Sequence, residues 1–95
     1  MNGVKRKIFA RTYYDSVGHF FVGVKVKDPL RCTVLINVVT DNGFLDVVIT
    51  DDDGVRINAG YDLTTGVYSF KLPIKHRYEI CISTKHHTGG FSVYF

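Results

Sequence analysis

Four histidines, two cysteines and a run of three aspartates are the residues of this 95-residue chain best equipped for chemistry. Imidazole is the commonest metal ligand and the general base nearest neutral pH, so His19, His76, His86 and His87 raise both zinc and catalysis. Zinc sites need their ligands at recurring short spacings, and no Cys-x-x-Cys or His-x-x-x-His accompanies these residues. Adjacent His86 and His87 point opposite ways in an extended chain, and read as loop residues. Among nucleophiles, Cys81, Ser83 and Ser92 lack the strained turn of a Gly-x-Ser-x-Gly elbow, and the nearness of His76 to Cys81 in sequence is not geometry. Asp51, Asp52 and Asp53, with Asp46 or Asp62 nearby, could offer hard oxygens to calcium. An EF-hand loop places its ligands at alternate positions with glycine sixth and glutamate twelfth, which this run does not. A solvated hairpin turn with Gly54 at positive φ is the reading that fits. No catalytic residue, metal or cofactor is expected.

A chain without reactive groups must act by its surface, and composition limits what that surface meets. Hydrophobic residues make up 45% and charged residues 22%, the balance of an ordinary globular domain. The net charge of +3 comes largely from Lys5, Arg6, Lys7 and Arg11 and from residues 71–85. Outward basic side chains guard strand edges against unwanted pairing. Tyr13, Tyr14 and Phe21, read as exposed, could stack bases beside those charges, but no Lys/Arg-Gly-Phe-Gly-Phe motif of an RNA-binding sheet appears, so nucleic acid is set aside. No apolar run approaches the roughly 20 residues that cross a bilayer. The basic start lacks the apolar core of a signal peptide. A complete chain would be cytoplasmic, with membrane association only through a partner or further segments, and an excised receptor domain would face the secretory lumen.

The elements that must position this surface are strands. One domain over residues 1–95 is the expected organisation. Residues 5–14 form a plausible first strand; Phe20, Val22, Val24 and Val26 alternate in a second that stops at Asp28-Pro29; Cys32, Val34, Ile36 and Val38 line a third. Asn42-Gly43 readily takes the positive-φ turn of a tight hairpin, so strands three and four, the latter with Leu45, Val47 and Ile49 inward, should pair antiparallel. Val55 and Ile57 mark a fifth strand, Tyr68, Phe70 and Leu72 a sixth ended by Pro73, Tyr78, Ile80 and Ile82 a seventh, and Phe91, Val93 and Phe95 an eighth. No ten-residue window prefers the helical period. The expected fold is all-β: an antiparallel, eight-stranded, jelly-roll-like β-sandwich.

Residues 43–95 carry a resemblance. Leu45, Asp46, Val47 and Ile49 before Asp51-Asp52-Asp53-Gly54, then Ile57, Gly66-Val67-Tyr68-Ser69-Phe70, Tyr78-Glu79-Ile80-Cys81-Ile82 and Phe91-Ser92-Val93-Tyr94-Phe95, resemble the GOLD (Golgi dynamics) domain. The resemblance implies a jelly-roll-like sandwich used for protein–protein contact, as in cargo receptors of the early secretory pathway and cytosolic Golgi proteins. In membrane-anchored members a first-strand cysteine pairs with the one matched here by Cys81. Residues 5–14 contain no cysteine, and Cys32 and Cys81 are expected to be free thiols.

The function expected is therefore a non-catalytic protein–protein interaction module, an adaptor in membrane trafficking. The alternative is a β-sandwich module binding carbohydrate or another ligand. Most Phe and Tyr residues fall on inward positions, with Tyr61 and Tyr94 as exposed exceptions, and the chain has no Trp for a sugar platform. The expected docking site is the short, uncharged last strand, Phe91, Ser92, Val93, Tyr94 and Phe95, where another protein or a second copy of the chain could add a strand.

Overall fold

The computed structural model describes residues 5–74 and 77–95, all-β and without helix. Five strands form one antiparallel sheet: β1 (Lys7–Val24), β2 (Thr33–Asp51), β3 (Arg56–Gly60), β4 (Gly66–Lys71) and β5 (Tyr78–Tyr94). The order is β1-β5-β2-β3, with β4 also paired to β2. No helix among the described residues is long and apolar enough to cross a membrane.

Five strands rather than eight result because three expected pairs are each one long strand. The expected first and second strands are β1, the third and fourth are β2, and the seventh and eighth are β5. The expected hairpin at Asn42-Gly43 is accordingly not a hairpin: Gly43, at φ 79°, sits inside β2. Register breaks fall between Tyr13 and Gly18 of β1 and between Thr40 and Phe44 of β2, both against the 84–89 stretch of β5. A bulge adds one residue and bends its strand. Three bulged strands side by side bend the whole sheet along one line.

The burial pattern records those extra residues. In β2 the buried side chains are Val34, Ile36 and Val38 before the bend but Leu45, Val47 and Ile49 after it, and in β5 they shift from Ile80 and Ile82 to His87, Phe91 and Val93. The same face of the sheet stays inward while the parity of the sequence changes. All the described strands belong to this sheet, and its apolar face packs into one core with connections that contribute Val26, Leu63 and Leu72. Fully enclosing side chains the size of Ile36, Ile80 and Ile82 is worth about 1.5–3 kcal/mol each.

Close approach at the bend demands glycine. A Cβ on Gly89, at φ 135°, would meet the Val39 carbonyl, and one on Gly43 the His86 carbonyl. Below the bend, the acidic turn joins β2 to β3 as expected, with Gly54 at φ 79°. The buried Asp51 carboxylate accepts the Asp53 and Val55 N–H groups at 2.9 and 3.0 Å, holding that turn closed. Val55, expected in the fifth strand, is instead an exposed residue just before β3, whereas Ile57 lies in β3 and packs against the core.

Candidate functional site

The expected docking edge does not exist as an edge. Phe91, Ser92 and Val93 pair with Arg11, Ala10 and Phe9 of β1 on one side and with Val38, Asn37 and Ile36 of β2 on the other. Tyr94 lies between Lys7 and Leu35, and Phe95 exchanges backbone hydrogen bonds with Arg6. Phe91 and Val93 are core residues. A short apolar strand is equally what a central position requires, and composition alone does not separate the two.

β3 and β4 pair only with β2 and are short edge strands, and the long free edge is β1, which pairs only with β5 among the described strands. Its two halves differ. Over residues 7–13 the edge carries Lys7 and Arg11, and the Arg11 guanidinium lies 4.1 Å from the centre of the Phe9 ring. Lysine and arginine on an edge oppose strand addition. Residues 16–24, Ser-Val-Gly-His-Phe-Phe-Val-Gly-Val, carry no lysine, arginine or acid. Val22 and Val24 face the core there, while Val17 and Phe21 stand outward, 66% and 59% exposed. This is an uncharged strand whose unpaired main-chain groups and outward apolar side chains lie on the surface together.

The bend holds the histidine chemistry. His87, read as a loop residue, is a fully buried member of β5. Its Nδ1 lies 2.7 Å from the Tyr13 hydroxyl and its Nε2 2.8 Å from Thr40 Oγ1. The Thr40 hydroxyl donates to the Leu63 carbonyl at 2.9 Å, so it must accept from His87 Nε2–H, leaving Nδ1 to accept from Tyr13. This is the arrangement of the neutral ring. Burial holds His87 below the ordinary histidine value, with the Asp41 carboxylate pulling the other way. Burial likewise pushes the Tyr13 phenol up to about 12. Tyr13, expected to be exposed, is half-buried and stacks on Phe20 at 5.9 Å within a cluster that includes Phe9 and Phe91. The network fastens all three long strands where they bend.

His86 points the opposite way, to solvent, and its Nδ1 contacts the Asp15 carboxylate at 2.8 Å. Both residues have left-handed backbone, φ 49° and 52°. That conformation costs a non-glycine residue roughly 1–2 kcal/mol at general positions, less for Asp, while a solvent-exposed pair such as this one returns about 0–1 kcal/mol. The pair thus gives the fold little that two glycines would not.

Elsewhere, His19 Nδ1 lies 2.9 Å from Ser83 Oγ on the outer face of β1 and β5, with Cys81 Sγ 3.9 Å away. The imidazole is exposed and the Ser83 hydroxyl is half-buried. Cys32 and Cys81 are free thiols, and the Cys32 thiol donates to the Pro29 carbonyl. Asp51, Asp52 and Asp53 bring carboxylate oxygens within 4.8 Å of one another, which exposed turns often do without an ion. His76 lies outside the described residues. Tyr61 is exposed as expected, whereas Tyr94 is half-buried with the Lys7 ammonium 6.0 Å from its ring.

Comparison with known proteins gives a likeness of fold alone. No family model and no curated protein matches the chain. Among solved structures, it is similar to the enzymatically active domain of tailspike protein 4 from bacteriophage CBA120, with a TM-score of 0.52 and 19% identity over 99% of this chain. The chain spans 16% of that protein's length, so what is alike is one all-β portion of a much larger molecule.

Proposed function

We propose that this domain is a non-catalytic protein–protein interaction module, a bent sheet closed as a two-layered sandwich, that docks a strand of its partner along residues 16–24 of β1. The observation that carries this reading is the pairing of β1 with β5 alone over an uncharged stretch whose Val17 and Phe21 are exposed. Strand addition satisfies main-chain groups on both sides, and outward side chains at alternate positions supply selectivity. The shortest dimension of the molecule, 16 Å between extreme Cα positions, suits two backbone layers about 10 Å apart. An adaptor role in membrane trafficking rests on the resemblance of residues 43–95 to GOLD domains.

The test replaces Val17 and Phe21 together with lysine, which leaves the core untouched and charges the edge. Partner capture followed by mass spectrometry should recover a protein with the parental domain and with Val67→Lys, an outward change on β4, but not with the double-lysine variant. Equal recovery by all three folded proteins would exclude docking at this edge.

A further inference from the structure

Two adjoining depressions cross the sheet at its bend. The first, about 390 Å³, is lined by Tyr14, Asp15, Asn42, Phe44, Lys85 and His86 among others. The second, about 380 Å³, has Asp46, Asp62 and Ser83 on its far side. Phe44 and Lys85, register partners in β2 and β5, line both and join them into one groove. All three described non-glycine residues with left-handed backbone, Asp15, Asp62 and His86, lie along it. Tyr14 is 85% exposed and Phe44 52%, so neither ring is explained by packing.

From this arrangement we infer that the groove binds a neutral oligosaccharide. A pyranose presents an apolar face of C–H groups with a positive rim to the negative faces of exposed rings, and Tyr14 and Phe44 supply such faces. Its edge hydroxyls need donors and acceptors placed side by side. Asp15 and Asp46 each engage a neighbour, the His86 ring and the Asp62 N–H at 2.7 Å, and each carboxylate keeps acceptor capacity. The Asn42 amide and the Lys85 ammonium add donors around them, and the Ser83 hydroxyl keeps acceptor capacity at the far side.

Charge and topology exclude the rival occupants. Asp15, Asp46 and Asp62 against Lys85 make the groove formally acidic, which repels nucleic acid and sulfated or uronic glycans. A peptide would seek main-chain partners, yet along the groove β5 lies between β1 and β2, and on the far side of β2 the Thr40 N–H and the Leu45 carbonyl are already taken by Thr65 and Leu63, so side chains do most of the recognising. The site is independent of the β1 docking edge, and either can fail without the other.

The experiment titrates the labelled domain by NMR with a panel of neutral hexasaccharides built from glucose, mannose, xylose, galactose and N-acetylglucosamine, with a heparin hexasaccharide and a lysine-rich peptide beside them. At least one neutral sugar should bind at sub-millimolar concentration and shift the amides of Tyr14, Asp15, Phe44 and Lys85. Tyr14→Ala and Phe44→Ala should each weaken that binding about tenfold or more, while Val67→Ala leaves it unchanged. Both ring variants alter exposed side chains, and unchanged melting temperatures confirm their fold. No binding by any neutral sugar at millimolar concentration, binding only of heparin or of the peptide, or parental affinity in both ring variants would each overturn the inference.

Discussion

Replacing His87 with glutamine separates two consequences of its burial. In the unfolded chain the imidazole protonates near its ordinary value of 6.5, and in the folded chain only at lower pH. Between those two values the unfolded state carries the extra proton, so acid favours unfolding. The neutral ring's contribution is complete above about pH 7 and declines as pH falls through 6.5 towards the folded value, with a slope of up to about 1.4 kcal/mol per pH unit. The informative quantity is the difference between parent and variant at each pH, in which the contributions of all other ionisable groups cancel. Glutamine cannot titrate, yet offers one donor and one acceptor to Thr40 and Tyr13. Urea titrations at pH 7.5, 6.0 and 5.0 should show His87→Gln less stable by about 1–3 kcal/mol at pH 7.5, the cost of imperfect packing and hydrogen bonding in an enclosed site. That deficit should shrink steadily towards pH 5. A deficit constant across the range would refute the neutral, buried imidazole.

Three further outcomes follow from the same packing. Ile80→Ala should cost about 2–5 kcal/mol through lost transfer energy and a cavity, whereas Asp52→Ala, on an exposed turn, should stay within about 0.5 kcal/mol by denaturant titration. Gly89→Ala should leave little folded protein by circular dichroism, since its Cβ meets the Val39 carbonyl, while Gly23→Ala, with open space around it, should be neutral to within about 1 kcal/mol. Chelator should leave the melting temperature within about 2 °C, because the three adjacent carboxylates serve a turn whose buried member already accepts two N–H groups; a larger fall would show a bound ion.

The inward residues of the core were legible because period-2 alternation survives any choice of strand ends. Val34, Ile36, Val38, Leu45, Val47, Ile49, Ile80 and Ile82 are all buried as alternation requires. The number of strands was not legible, because a tight hairpin and a bulge ask for the same residue. Gly43 takes positive φ either way, and only the neighbours of β2 decide whether the chain reverses or merely bends. The odd step from Val38 to Leu45 is common to both. His87 was missed for a related reason: its neighbours Lys85, His86, Gly89 and Gly90 have loop composition, and its partners Tyr13 and Thr40 lie far off in sequence. The groove at the bend was invisible because Tyr14, Phe44 and Lys85 come from three strands that the sequence does not align.

The central place of β5 bears on how the chain is made. Synthesis delivers β1, β2, β3 and β4 first, yet β1 and β2 have no register with each other and meet only through β5. Until residues 78–94 emerge, β1 has no strand to pair with, and its uncharged stretch waits in the open. Domains of such non-local topology fold slowly, and unpaired strands invite intermolecular pairing meanwhile. The nascent chain therefore completes its sheet in a single late event, and a ribosome stalled short of β5 releases a fragment prone to aggregate rather than a smaller folded domain.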